Sequence, residues 1–365
     1  MNAGAARIDP AFWRGKRVWL SGHTGFKGGW LALWLAELGA EVHGFALEPP
    51  SSPNLFTAAG VNAALTADVR ADLCDAAAVR QAMAAARPEI VLHLAAQPIV
   101  RRSYREPLET FAVNVMGTAH VLEAARAVKD LRAAVCITTD KCYENREWHW
   151  SYREGDALGG RDPYAASKAA AELVIGAWRS SFFPAAGIAS ARAGNVIGGG
   201  DWGEDRLLPD LMRGFAQGAT VEIRSPQAIR PWQHVLDCLA GYLLLAQGLC
   251  AEPARFAGAW NFGPDMAAEA PVLRVAETAR TLWGAGAAIR VNPPQDAPHE
   301  ATFLKLDSAK ARAEIGWRPL LSLDKGLGLT VTWHRAQARG EDVRALTTQQ
   351  IRDYMDAHAE NARQG

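Results

Sequence analysis

The chain has 365 residues, with 39 basic and 39 acidic side chains, and a net charge of zero excludes both a nucleic-acid footprint and an electrostatic membrane anchor. Met1 to Arg17 has no apolar core of signal-peptide length, and no later run approaches the roughly 20 apolar residues of a spanning helix, so a cytoplasmic protein without membrane contact is expected. The 5 cysteines form no C-x-x-C pair and the 9 histidines no H-x-x-x-H, which argues against a zinc site, so no metal is expected, and against a disulfide framework.

The length suffices for a large core and two lobes, and the 13 tryptophans read as core and interface area. Arg17–Ser21 is a short strand running into Gly22-His23-Thr24-Gly25-Phe26-Lys27-Gly28. Trp30, Leu31, Trp34, Leu35 and Leu38 then recur at helical spacing up to Gly39. Strand, glycine turn and helix together form a dinucleotide cradle. The glycines let backbone approach a pyrophosphate, whose charge a helix N-terminus favours. A second strand, Glu41–Ala46, ends where an acid would bond an adenosine ribose, but Ala46 cannot, and Glu48 lies beside a proline-rich path. NAD and NADP therefore both stay open; His23 and Lys27 would welcome a 2′-phosphate or simply form a solvated helix start. Asp68, Asp72 and Leu73 are candidates for the adenine edge.

A strand at Ile90–Leu94 breaks into Ala95-Ala96-Gln97, small residues that suit either a ligand or tight packing. The periodicity predicts a helix from Pro107 to about Val128, with Leu108, Phe111, Ala112, Val115, Ala119 and Leu122 on one face and Asn114 within it. The apolar run ending Ile137-Thr138-Thr139-Asp140-Lys141 is a buried strand whose last residues emerge at the ligand end of a parallel sheet. Tyr164 and Lys168, four apart, share a helix face, where the ammonium would favour the phenolate. Gly187–Ala191 is another strand. From Asn195 the strand and helix rhythm fails, and Pro209, Pro226 and Pro231 open a smaller lobe before Ala259–Gly263 returns to the sheet.

Gly22-x-x-Gly25-x-x-Gly28, His93-Leu94-Ala95-Ala96, Asn114-x-x-Gly117-Thr118, Tyr164-x-x-x-Lys168 and Arg192-x-Gly194-Asn195 occur in one order. In this the chain, from Trp13 to Trp333, resembles the extended short-chain dehydrogenase/reductase family. Within it, the glycine turn through Trp30, Thr139-Asp140-Lys141-Cys142-Tyr143 and Ile229-Arg230-Pro231-Trp232-Gln233-His234-Val235 resemble the nucleotide-sugar 4,6-dehydratases. Lys141, where relatives acting on other nucleotide sugars carry Glu, resembles the group acting on CDP-glucose.

The resemblance implies an α/β fold, a doubly wound parallel sheet of Rossmann type with a smaller, discontinuous C-terminal substrate lobe. The cofactor domain would take residues 13–194 plus about 232–264, and the substrate lobe about 195–231 plus 265–345. It implies NAD, with NADP possible, CDP-glucose as substrate, and a homodimer or homotetramer built on the helices carrying Asn114 and Tyr164. Leu94, Ala95, Ala96, Asn114, Thr138 and Arg192 join the cofactor contacts, and Gln97 and Thr139 the substrate contacts.

Tyr164, with Lys168 and Thr139, would take the proton of the sugar 4-OH as hydride leaves C4. Asp140 would protonate the departing C6 hydroxyl, Lys141 would assist loss of the C5 proton as base or through water, and hydride would return to C6. Asn195 and Arg230 are candidates for the diphosphate, although an interlobe salt bridge fits Arg230 as well. Arg206, His299 and Glu300 are candidates for the nucleotide. A nucleotide-sugar 4-epimerase or reductase would use Tyr164 and Lys168 but has no task for Asp140 and Lys141.

Overall fold

The structure, a computed structural model, describes residues 7–265, 268–292 and 304–364. Strands β1 (Arg17–Ser21), β2 (Glu41–Ala46), β3 (Ala67–Arg70), β4 (Ile90–His93), β5 (Ala133–Ile137) and β6 (Gly187–Ala193) alternate with helices. Three more, β7 (Asn195–Ile197), β8 (Thr220–Ile223) and β9 (Ile229–His234), lie outside that series. Strand β10 (Gly258–Phe262) returns, and β11 (Glu269–Pro271) and β12 (Ala288–Val291) leave again. The main sheet has seven strands in the order β10-β6-β5-β4-β1-β2-β3, every pair parallel. This is the doubly wound α/β arrangement, with a ligand crevice at the carboxyl ends of β1 and β4, where the order reverses.

Burial explains the sequence pattern. β4, β5 and β6 are buried along their whole length, so they read as continuous apolar or small runs rather than alternating ones. One face of the sheet packs on the helices Phe26–Glu37 and Val235–Ala251, the other on Ala76–Ala86, Gly117–Arg126 and Pro163–Phe182. Val235–Ala251 has 14 buried residues of 17, so it is apolar all round and shows no stripe for periodicity to find. The smaller lobe has its own core, in which Leu208, Leu211, Trp232, Val275 and Leu327 pack together, with two small sheets, β11-β9-β7 and β12-β8.

One expectation changes on contact with the fold. The helix predicted from Pro107 to about Val128 is two α-helical pieces, Pro107–Phe111 and Gly117–Arg126, joined by a π-helical turn over Ala112–Met116. The wider turn rotates the second piece about the helix axis, so the predicted single stripe splits: Leu122 is buried, whereas Leu108 is 85% and Phe111 39% exposed. Residues 232–234 pair with β7, and the helix Val235–Ala251 that follows them packs on the main sheet. A C-terminal helix, Val343–Gln364, not read from the sequence, clamps the Phe26–Glu37 helix through Tyr354 on Trp34, with ring centroids 5.5 Å apart.

Candidate active site

The crevice is built where β1 turns into its helix. Gly22 sits at φ +79°, and a Cβ there would stand 2.7 Å from the Ala95 nitrogen; one on Gly28 would meet Gly22 O at 2.1 Å. The turn is therefore closed to larger residues at both ends. Gly25 caps the Phe26–Glu37 helix without a side-chain bond, which leaves the helix N–H groups for an anion. Ser21 Oγ accepts from Leu94 N at 3.0 Å and Ala95 N at 3.1 Å and bonds His93 Nδ1 at 2.7 Å. His93 Nε2 reaches Thr118 Oγ1 at 3.1 Å, and burial, then the charge of Lys168, pushes its pKa down to about 3. A neutral polar tie thus fixes the ends of β1 and β4 against each other. The glycine cradle and its uncapped helix fit a dinucleotide's diphosphate.

The chemistry-bearing turn leaves β5. Thr139 caps the short turn Asp140–Cys142; its Oγ1 accepts from Lys141 N at 3.3 Å, donates to Asp140 Oδ1 at 3.0 Å and is hydrogen-bonded to the Tyr164 phenol. Asp140 is buried, and its Oδ2 has no partner among the described residues. Burial raises its pKa against the opposing pull of Lys141, the Thr139 bond and Arg230. A raised pKa and a bare oxygen suit this carboxyl to general-acid chemistry.

Tyr164 and Lys168 share one face of the Pro163–Phe182 helix, started by Pro163 and capped by Asp162. The shared face expected from their spacing is there, but the ammonium does not bond the phenol. Lys168 Nζ donates to Ile137 O at 3.3 Å, because the carbonyl ending β5 lies within its reach. Burial, then the Lys27 charge, lowers Lys168 to about 8, while burial pushes Tyr164 up to about 12 against its Thr139 bond. The charge of Arg206, held by Asp201 at 3.1 Å, opposes that rise at Tyr164.

The family model for GDP-mannose 4,6-dehydratases matches residues 20–330. The chain belongs to that family. A CDP-glucose 4,6-dehydratase of Salmonella typhimurium is 49% identical over 96% of this chain and 99% of its own. A dTDP-glucose 4,6-dehydratase of Actinoplanes is 30% identical over 73% of this chain and 79% of its own. Among solved structures, a UDP-glucose 4-epimerase of Stenotrophomonas maltophila with bound NAD superposes with TM-score 0.78 at 21% identity, over 89% of this chain and 99% of that one. A dTDP-glucose 4,6-dehydratase of Streptomyces venezuelae with NAD bound gives 0.76 at 24%, over 89% and 98%. These two likenesses speak for the fold.

In this family member the crevice gathers Gly22, Thr24, Gly25, Phe26, Gly28, Leu94, Ala95 and Ala96 at the ends of β1 and β4, with Thr139, Asp140, Lys141, Tyr164 and Lys168 beside them at the end of β5. Arg230, buried in β9, projects its charge onto Asp140 and donates to Ile229 O at 2.9 Å; Asn195 opens β7 beside it. Lys27 points at Tyr242 OH, 3.2 Å away, rather than into solvent.

Other residues go elsewhere. His23 is fully buried, its Nε2 2.9 Å from Asp68 Oδ1 and its pKa lowered by burial, so it is neither a solvated helix start nor a phosphate-facing cation. Arg192 is turned away from the cofactor assignment by a buried ion pair with Glu172. Thr138 Oγ1 also bonds Glu172. Gln97 and Asn114 satisfy each other: Asn114 Oδ1 accepts from Gln97 N at 2.9 Å, Nδ2 donates to Gln97 O at 3.1 Å and Ser167 Oγ at 2.9 Å, and Gln97 Nε2 donates to Thr110 Oγ1 at 2.9 Å. Asn114 is thus a buried pin at the π turn, not a solvated mid-helix Asn. Leu73 packs in the core under Gly117, and Asp72 accepts from Cys74 N. His299 and Glu300 lie outside the described residues. Sequence reasoning passed over Glu172, although its place four residues after Lys168 puts it on the same helix face.

Proposed function

We propose that the chain converts CDP-D-glucose to CDP-4-keto-6-deoxy-D-glucose and water. The observation that carries this is Asp140, a buried carboxyl with a raised pKa and an unpaired oxygen, one threonine away from Tyr164. The 49% identity to the Salmonella CDP-glucose enzyme supports the nucleotide. An epimerase needs the tyrosine but has no use for a second, protonated acid.

The glycine turn and the backbone of residues 94–96 would hold NAD, which when bound would supply a hydride acceptor for C4, a hydride donor for C6 and a positive charge that favours the phenolate. Tyr164 takes the C4 hydroxyl proton, with Thr139 orienting the phenol. The C4 ketone acidifies C5, whose proton leaves towards Lys141, directly or through water. Asp140 gives its proton to the C6 hydroxyl, which departs as water. When hydride is returned to C6, C5 takes back a proton from the Lys141 side, and the proton gained by Tyr164 matches the one Asp140 has lost, so solvent exchange between them resets both groups. Desolvation of Asp140 keeps that acid loaded, and Arg230 and Lys141 stabilise the carboxylate left behind. Asn195 and Arg230 would hold the diphosphate. The lobes would divide at about residue 195.

Incubation with CDP-glucose and NAD should give a sugar that absorbs in alkali and has lost its C6 hydroxyl by NMR; a product keeping that hydroxyl overturns the reading. NAD is favoured over NADP by the relatives solved with it. Tenfold tighter NADP binding to stripped protein, about 1.4 kcal/mol, would reverse that preference. The 5 cysteines are all unpaired, in keeping with a reducing cytoplasm. A second copy of the chain would cover Leu108, Met116 and Leu173, which are 85%, 53% and 65% exposed on the packed helical segments 107–126 and 163–182. Leu108→Glu with Leu173→Glu should lower the mass seen by light scattering from a dimer or tetramer to a monomer.

A further inference from the structure

Thr138 to Tyr143 carries the proposed acid–base groups, and both ends of this run are tied to one buried ion pair behind the sheet. At the near end Thr138 Oγ1 donates to Glu172 Oε1 at 2.5 Å. The same carboxylate accepts from Ser190 Oγ at 2.7 Å and from the Arg192 fork, Nε to Oε1 at 3.0 Å and Nη2 to Oε2 at 2.7 Å. At the far end Arg192 Nη1 donates to Tyr143 OH at 2.8 Å, with the guanidinium 4.9 Å over the tyrosine ring. Tyr143 in turn donates to Asn261 Oδ1 of β10 at 2.7 Å. Both members of the pair are 3% exposed.

The pair also joins two elements. Tyr164, Lys168 and Glu172 stand at i, i+4 and i+8 on one helix face, whereas Asp140 and Lys141 ride on the turn after β5. A carboxylate with every strong acceptor direction occupied, shared between helix and turn, leaves little freedom for one to move against the other. We infer that Glu172 and Arg192 form a staple that holds the turn of residues 139–141 in register with Tyr164, which makes both of them positioning residues for the reaction. The inference deepens the dehydratase reading and rests on it for its kinetic consequences. The position of Glu172 beside Lys168 adds a second tie, since its charge supports the lysine's proton.

The test uses the full-length protein loaded with NAD. Tyr143→Phe cuts the far tie and Thr138→Val the near one, each keeping its packing volume and the ion pair itself. Turnover on CDP-glucose should fall about 10- to 100-fold in each, the scale of a misplacement near 1 Å, with KM nearly unchanged. Tyr143→Phe should accumulate reduced nicotinamide, because the Asp140 and Lys141 end is the one loosened; Thr138→Val, nearer Thr139 and Tyr164, should not. In Glu172→Gln, hydrogen exchange of the amides of residues 139–142 should quicken at least about tenfold relative to β1, as local opening becomes easier. If Tyr143→Phe and Thr138→Val both turn over like wild type, or exchange at the turn is unmoved in every variant, there is no staple. Wild-type protein that makes no 4-keto sugar sinks the dehydratase reading instead, and the exchange measurement still decides the staple.

Discussion

Asp140 and Glu172 are both carboxylates buried within one small region, and their pKa values are shifted in opposite directions. Glu172 accepts from Thr138, Ser190 and both arms of Arg192. Burial, the largest single influence, pushes its pKa up, but the bond and charge of Arg192 together with the two hydroxyls outweigh it and the pKa falls. Asp140 has one threonine bond and one bare oxygen, and for it burial wins. Depth alone therefore says nothing about charge; the number of donors and the presence of an opposing cation do. The satisfied carboxylate is framework, and the unsatisfied one is left able to exchange a proton.

Swapping Asp140 for Asn attacks this contrast where it should matter most. An amide fills the same space but has no proton to give, so elimination should slow by about 10² to 10⁴-fold while substrate binding persists, and reduced nicotinamide should build up. Tyr164→Phe is its mirror, blocking the first step and leaving the nicotinamide oxidised; single-turnover absorbance separates them. Equal slowing of both steps in Asp140→Asn would mean that Asp140 only orients the turn.

Glu172→Ala should cost about 3–5 kcal/mol in denaturant unfolding, because it strands the Arg192 guanidinium in the core. Replacing both partners by Met should recover much of that stability. The recovered double variant should stay slow, since stability and register are then separated.

A third buried carboxylate refines the rule. Asp237 accepts from Leu320 N, Leu321 N and Tyr354 OH but has no bonded cation among the described residues, and burial raises its pKa from 3.8 to about 7 despite them. Its folded-state pKa lies above the unfolded one, so its contribution is complete below about pH 4 and is lost as pH rises towards 7. Wild-type stability should decline over that window by an amount on the order of 1–4 kcal/mol, and Asp237→Asn should flatten the slope. Unfolding free energies at several pH values check this; an unchanged slope would mean that the Tyr354 and backbone donors suffice to keep Asp237 ionised.

Much of this molecule was legible in the sequence because its signals are local. The strand, glycine turn and helix from Arg17 to Gly39, the paired spacing of Tyr164 and Lys168, and Thr139-Asp140-Lys141 at a strand end each lie within a few residues. Backbone period and steric need act over that same distance. The doubly wound parallel sheet was reached through the family resemblance those motifs carry, while the order of its strands came only with the structure.

Tertiary structure decided the partners. Whether His23 meets solvent or Asp68, 45 residues on, and whether Arg192 reaches a cofactor or Glu172, 20 residues back, depends on which strands become neighbours. The π turn that sends Leu108 outward and Leu122 inward adds a residue to the helix without any mark in its hydrophobic pattern. The same holds for Lys168, whose ammonium goes to Ile137 O instead of the phenol one helical turn away. The sequence determined which chemical groups arrive at the crevice, because that is set by period and spacing. Which of them are spent on one another and which stay available was settled only by packing, since desolvation and hydrogen-bond supply are properties of the assembled neighbourhood rather than of the chain.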